Sequence, residues 1–344
     1  MTDDLGPLAD SGRFHEPLAL DATDVASVRQ ALRLMLRIRR AEERIADNVA
    51  TGVIRCPCHL AIGQEAAAVG VAQHLRPSDR AFGAHRSHAH FLAMGGSLDG
   101  LFAEVLGRDT GVSRGMGGSM HLAARDIGFY GSVPIVGATI PIAVGAALAA
   151  HMDGRGDIAV SFFGDGAVEE GSFHESMNMA ASMQLPILFV CENNFFASHM
   201  HISLRQPSNR VARFAEAHGI EHATVDGNDV IAVRRALEKP VSQWRQRHGG
   251  PFFLEAVTYR WRGHVGHRDD LDVGVARKDD LAAWQGRDPI QRLSDALVGA
   301  GHLAATDRDR VDAEIRAEVD SAWNAALLAP FPAEGELLAR VWAP

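Results

Sequence analysis

The chain has 344 residues, 47% hydrophobic and 22% charged. That composition excludes a disordered or collagen-like polymer and leaves room for one large α/β domain with appendages. Its 34 basic and 43 acidic side chains give a net charge of −9, which argues against nucleic acid as the main partner because phosphate contacts need a positive surface. Cys56, Cys58 and Cys191 are too few for a disulfide framework, and the acidic N-terminus has no apolar run, so a cytoplasmic location is expected.

Residues 1–20 read as a loose arm. Val28, Leu32, Met35 and Leu36 recur at helical spacing, which predicts a helix over about 24–50. A second helix is expected over 59–75, ended by the turn Arg76-Pro77-Ser78-Asp79. Residues 127–150 carry no charge and are long enough to span a bilayer, but Pro134, Pro141 and several glycines interrupt them. They read as small residues packed in a large soluble core, with no membrane involved. Residues 158–163 form a continuous apolar run, as in a buried parallel strand. A helix follows over 169–183, with Phe173, Met177, Ala180 and Ala181 on one face. Pro186 breaks it, and 187–190 is the next buried strand, completing a βαβ unit. The alternation repeats with strands at 222–226 and 251–261 around a helix from Val230. Interleaved strands and helices predict an α/β fold, a parallel sheet flanked by helices. Beyond Asp288-Pro289-Ile290 the pattern is helical to about Leu328, and Pro330 and Pro332 open a tail. The expected division is an arm (1–20), a main domain (21–290) and a helical C-terminal extension with tail (291–344).

In open parallel sheets ligands bind beyond the carboxyl ends of strands. Gly164-Asp165-Gly166 stands at one such end and Asn193-Asn194 at the next. Asp165 offers a hard carboxylate oxygen and Asn194 a neutral carbonyl, a set that suits Mg²⁺ with positions left for water and phosphate. The glycines let backbone N–H groups approach a phosphate closely. Either residue alone reads more readily as a turn cap; the pair, separated by turn, helix and strand, points to a shared crevice.

The run from Gly164-Asp165-Gly166-Ala167 to Cys191-Glu192-Asn193-Asn194 resembles the thiamine-diphosphate fingerprint. From about residue 28 to 342 the chain is similar to the alpha subunit of the first component of 2-oxoacid and acetoin dehydrogenase complexes. The resemblance also rests on His59-Leu60-Ala61-Ile62-Gly63-Gln64-Glu65, His85-Arg86-Ser87-His88, Gly117-Gly118-Ser119-Met120-His121, Ile135-Val136-Gly137, Tyr259-Arg260-Trp261-Arg262-Gly263-His264 and Asp288-Pro289-Ile290. Phe173-His174-Glu175 and the Tyr259 motif resemble the acetoin branch most.

The resemblance implies roles. Asp165, Asn194 and the backbone carbonyl of Phe196 would hold Mg²⁺. Gly164, Gly166 and Ala167 would line the diphosphate, and His85, standing where tyrosine is common, would bind its oxygens with Arg86. Pro134 and Val136 would meet the aminopyrimidine. His264, on a mobile loop above the cofactor, would be the main catalytic histidine, joined by His59 and His88; imidazole exchanges protons near neutral pH. The implied activity is thiamine-diphosphate-dependent cleavage of a C–C bond beside a carbonyl in a small 2-oxoacid or acyloin, with the acyl unit passed to a lipoyl acceptor. The implied partners are a beta subunit in an α2β2 heterotetramer, which supplies the carboxylate that activates the aminopyrimidine, and a lipoyl acyltransferase. The alternatives are a carboligase that uses an aldehyde or ketone acceptor, and a catalytically silent scaffold, against which Asp165, Asn194 and His264 argue.

Other matches are weaker. Gly111-Val112-Ser113-Arg114-Gly115 fits the nucleophile-elbow pattern without the strand that must precede it. Cys56-Pro57-Cys58-His59 lacks the second ligand pair of a structural zinc site. His264 and His267 with Asp269-Asp270 could bind a metal, although a solvated acidic loop explains that stretch as well. His199, His201 and His267 have no assigned role.

Overall fold

The computed structural model describes residues 2–20, 24–272, 277–336 and 338. Helix α1 (Val25–Ala50) begins where expected. The Asp24 side chain accepts the Ala26 N–H at 3.1 Å and caps it, and Val28, Leu32, Met35 and Leu36 form part of its buried stripe. The second helix is shorter than its pattern. Only α2 (Glu65–Ala72) is helical. Residues 59–64 stay outside because Glu42 takes the Ala61 N–H with both carboxylate oxygens, at 3.0 and 2.8 Å. Gly63 also sits at φ +95°, where a Cβ would strike the Trp261 ring.

There follow β1 (Arg80–Gly83), α3 (His88–Ala93), α4 (Leu98–Val105), β2 (Phe129–Ser132), α5 (Thr139–Asp153), β3 (Ala159–Gly164), α6 (Gly171–Ser182) and β4 (Ile187–Asn193). A two-stranded ribbon, β5 (Phe196–Ala197) and β6 (Met200–His201), leads to α7 (Arg213–Ala217), β7 (Glu221–Asp226), α8 (Val230–Arg245) and β8 (Phe252–Val257). The chain ends in α9 (Arg277–Gln285), α10 (Pro289–Gly299) and α11 (Ala305–Leu328). The expected boundary at 290 falls inside α10; residue 21 and the tail beyond 338 lie outside the described residues.

Six strands form one parallel sheet in the order β2-β1-β3-β4-β8-β7. Successive strand residues face opposite sides. Val160, Phe162, Leu188, Val190 and Leu254 pack with α1, α2, α8, α10 and α11 on one side. Ala159, Phe163, Phe189, Cys191 and Phe253 pack with α5 and α6 on the other. The C-terminal helix α11 lies against α1 and α4, tied by the pairs Arg37–Glu318 at 2.9 Å and Arg40–Asp312 at 2.6 Å.

Two expectations change. The N-terminal arm is held rather than loose: Asn209 Oδ1 accepts the N–H of Asp4 at 2.8 Å and of Leu5 at 3.2 Å, and the Leu5 side chain is buried. The uncharged stretch 127–150 is only half interior. In α5 it buries Ile140, Ala143, Val144 and Ala147 and exposes Pro141, Ile142, Gly145 and Ala149. Among the described residues no helix is long and apolar enough to cross a membrane.

Candidate active site

The exits of five strands converge on a cavity of about 360 Å³. β1 brings His85 and Arg86, β2 brings Val136 and Gly137, β3 brings Gly164, Gly166 and Ala167, β4 brings Asn194 and Phe196, and β8 brings His264. The order of strands reverses around β1, whose neighbours are β2 and β3, which is where an open parallel sheet forms its ligand crevice.

β3 and β4 pair in parallel to Gly164 opposite Glu192, so Asp165 and Asn194 leave the sheet on adjacent strands. Asp165 is fully buried. One oxygen is paired with Arg205, which also grips Glu169; the other, Oδ1, has no partner. Burial pushes the Asp165 carboxyl above its ordinary range, with Arg205 opposing. At Gly166 a Cβ would come within 2.8 Å of the Ala197 Cβ, so the cavity wall closes only around a glycine. Asn194 Oδ1 accepts the Phe196 N–H at 3.2 Å. Phe195 between them sits at φ +68°, a left-handed conformation that is costly without glycine and that returns Phe196 to the cavity wall. A buried carboxylate oxygen without a partner, a neutral amide oxygen at the exit of the adjacent strand and a glycine cradle fit a diphosphate paired with a hard cation.

The loop after β8 carries His264 and is laced in place. Gly263 N–H reaches Arg268 O at 2.7 Å, His264 N–H reaches Asp270 Oδ2 at 2.6 Å, and Gly266 N–H reaches Cys58 O at 2.8 Å. Arg277 on α9 donates to the carbonyls of Trp261, Arg262 and Asp269. Asp270, expected in a solvated acidic stretch, instead turns its carboxylate inward, with the side chain 14% exposed.

His85 and His264 line the cavity, and His59 packs against both from behind the lining. Their ring centroids lie 4.6 Å apart for His59–His85, 4.9 Å for His59–His264 and 5.4 Å for His85–His264. Burial, followed by the nearby Arg86 guanidinium, lowers His59 to about 3, His85 to about 2 and His264 to about 4. All three are neutral at pH 7 and can accept a proton only from a strong local acid. Arg86 lines the cavity while donating to the carbonyls of Leu60 and His264.

His88 is not with them. It is fully buried at the start of α3, with Nδ1 3.2 Å from Glu42 Oε1 and Nε2 2.8 Å from Ser119 Oγ. The Gly117–His121 motif explains this position. The Glu104 carboxylate accepts the N–H groups of Ser113, Gly115, Gly117 and Gly118 at 2.7–2.9 Å, and the loop folded around it presents Ser119 to His88. Pro134 is half-buried and outside the cavity lining, whereas Val136 lines it and is 43% exposed. Glu65 is buried against Arg39 and the Gly63 N–H, away from the lining.

Several residues emerge only in three dimensions. Arg205 neutralises Asp165. His90 and Glu192 line the cavity, joined Nε2 to Oε1 at 3.0 Å, with the His90 ring stacked 4.0 Å from Phe162. His199 stands at the rim, Nε2 3.2 Å from Asp270 Oδ2. Glu192 lies inside a recognised motif and His90 two residues past another, so both were within reach of the sequence; nothing marks Arg205. Among the described residues one group of three or more His, Cys, Asp or Glu side chains places its ligand atoms close enough to share an ion, and it is His59, His85 and His264. Cys56 and Cys58 approach to 3.9 Å between sulfurs without further ligands. Ser113 follows α4 rather than a strand and bonds to His121 O at 2.7 Å.

The family described as Dehydrogenase E1 component matches residues 33–334. The alpha subunit of acetoin:2,6-dichlorophenolindophenol oxidoreductase from Bacillus subtilis is 35% identical over 311 residues, covering 90% of this chain and 91% of that protein. The pyruvate dehydrogenase E1 component subunit alpha of Zymomonas mobilis is 36% identical over 339 residues, covering 98% and 92%. The human mitochondrial somatic form of that subunit is 33% identical over 306 residues, covering 89% and 77%.

Proposed function

The chain belongs to the dehydrogenase E1 component family, and on that premise we propose that it is the alpha subunit of a thiamine-diphosphate-dependent 2-oxoacid or acetoin dehydrogenase. The observation that carries this reading is the cavity at the strand exits, lined by Gly164, Gly166, Ala167, Asn194, His85 and His264, with a partnerless oxygen of the buried Asp165 between two of those lining residues in the chain and the His59 ring packed against the two lining imidazoles. Thiamine diphosphate, when bound, supplies an electron sink for cleavage of a C–C bond beside a carbonyl.

In this reading Asp165, Asn194 and the Phe196 carbonyl hold Mg²⁺, and Arg205 keeps Asp165 ionised against its burial. Gly164, Gly166 and Ala167 bring backbone close to the diphosphate, with His85 and Arg86 as side-chain donors. Val136 presents an apolar surface to the aminopyrimidine, and Pro134 shapes the approach to it. His264 exchanges a proton with the substrate oxygen, its direction fixed through its own N–H by Asp270. His59 packs against it as a second neutral imidazole. His88 acts at a distance as a positioning residue: it faces Glu42, which grips the Ala61 N–H beside His59.

The substrate is a small 2-oxoacid or acyloin, and the acyl unit passes to a lipoyl group on an acyltransferase. The relatives are named oxidoreductase and dehydrogenase subunits, which does not favour the carboligase alternative. Their names also mark them as alpha subunits, in keeping with an α2β2 assembly in which a beta chain completes the site. Three free cysteines accord with a cytoplasmic location. The test is to assay the chain alone and with a beta chain, with Mg²⁺, thiamine diphosphate and either pyruvate or acetoin, following reduction of 2,6-dichlorophenolindophenol. Turnover is expected only with both chains; sustained turnover by the lone chain, lost in Glu65→Gln, would overturn the two-chain reading.

A further inference from the structure

His59, His85 and His264 arrive from three separate places: the turn before α2, the exit of β1 and the loop after β8. No described residue hydrogen-bonds to any of their ring nitrogens, and His59 Nδ1 is buried without a partner. Buried polar groups are rarely left this way unless something else completes them.

We propose that His59, His85 and His264 form a binding site for a divalent transition-metal ion of the zinc class, separate from the magnesium position at Asp165. One nitrogen from each ring lies within 4.8 Å of the others. A tetrahedral ion with imidazole ligands at about 2.0–2.1 Å spaces its nitrogens by roughly 3.3 Å. Ring rotations that close gaps of about 1.5 Å or less therefore complete a three-nitrogen face. His85 and His264 line the cavity, so the fourth position is the one that water from the cavity would fill.

The donor set decides the ion. Three neutral imidazoles suit zinc, copper or nickel, whereas magnesium and calcium take oxygen. The nearby cations do not block the site. Arg86 is engaged by the carbonyls of Leu60 and His264, and Arg260 by the carbonyl of Ser198. The carboxylates of Glu192 and Asp270 stand close enough to act on Arg86 and offset its charge. An ion held here would staple the three segments together. It would also occupy the imidazole that moves a proton in the proposed reaction, so ion binding and turnover exclude each other; this last consequence alone rests on the proposed function.

The experiment uses the full chain freed of thiamine diphosphate and Mg²⁺, titrated with Co²⁺ in the visible range and with Zn²⁺ in a calorimeter. One ion per chain is expected, with the ligand-field bands of tetrahedral cobalt. His85→Tyr and His59→Gln should each weaken zinc binding by more than about 100-fold, beyond what loss of an outer-shell partner costs. His199→Ala, which leaves the three rings intact, should keep wild-type affinity. Melting curves without zinc identify any variant that does not fold, and the other then decides. Absence of stoichiometric binding, or equal affinity in the folded His85 or His59 variant, overturns the site. Magnesium-dependent binding of thiamine diphosphate, measured on the same wild-type sample, separates the two readings: its presence without zinc binding rejects the ion site alone.

Discussion

Asp270 Oδ2 accepts the backbone N–H of His264 at 2.6 Å and stands 3.2 Å from His199 Nε2. One carboxylate thus sets the direction of the loop histidine and links it to the rim. Asp270→Ala should lower kcat about tenfold with unchanged thiamine-diphosphate affinity, and Asp270→Asn, whose amide oxygen still accepts, should recover most of it. His264→Gln, which removes the imidazole itself, should cost about 10²–10⁴-fold, the range for a general acid–base group. Equal kcat values for Asp270→Ala and wild type would remove Asp270 as a positioning residue.

The Asp165 carboxylate is buried with one oxygen free and the other on Arg205. Asp165→Asn keeps the shape and removes the charge. Calorimetry should show thiamine-diphosphate binding in wild type that depends on Mg²⁺ and a loss of that binding in the variant. Retained magnesium-dependent affinity would remove Asp165 from the metal site.

Glu65 is buried against Arg39, which also reaches Asp288 at 3.1 Å. Removing one partner of a buried pair strands the other and typically costs about 3–5 kcal/mol. Glu65→Ala is therefore expected to lower the melting temperature clearly, with the low end of that range favoured because Asp288 still holds Arg39. A variant that melts like wild type but loses turnover would show that Glu65 serves chemistry instead.

The histidine cluster gives stability a pH slope. Its members titrate at about 2 to 4 when folded and near 6.5 when unfolded. Between these values the unfolded chain binds protons that the folded chain refuses, so stability is full above about pH 6.5 and falls as the solution is acidified toward about pH 4. Arg86 and Arg260 reinforce the effect and Asp270 opposes it. Melting temperatures from pH 7 to pH 5 should decline less steeply in His59→Gln than in wild type. Parallel slopes would mean that His59 is not held neutral by its surroundings.

Much of the fold was legible because it is written in short-range pattern. The apolar runs at 158–163 and 187–190 became β3 and β4, and the stripe from Val28 became α1 with Asp24 as its cap. The second helix was overestimated because Glu42 and Trp261, distant in sequence, claim the backbone of residues 59–64. The placement of candidate residues was legible where a strand exit delivers them: Asp165 and Asn194 leave adjacent strands as their spacing suggests. His88 sits in a motif that predicts the pocket, yet its side chain is turned away by Glu42 and Ser119. Arg205 was invisible because its meaning comes from a carboxylate 40 residues earlier that only the folded crevice places beside it.

The six strands all run the same way, so their entrances gather on the edge opposite the chemistry. The turns before β3, β4 and β8 meet there around a second hollow of about 310 Å³, lined by Gly154, Gly156, Gln184, Pro186 and His248. Residues 246–249 on that edge are exposed. A surface linker, fluorophore or inserted peptide between Arg247 and His248 would sit a full strand length from every proposed cofactor contact. That edge is the natural handle for immobilising the protein or reporting on its assembly while the site stays intact.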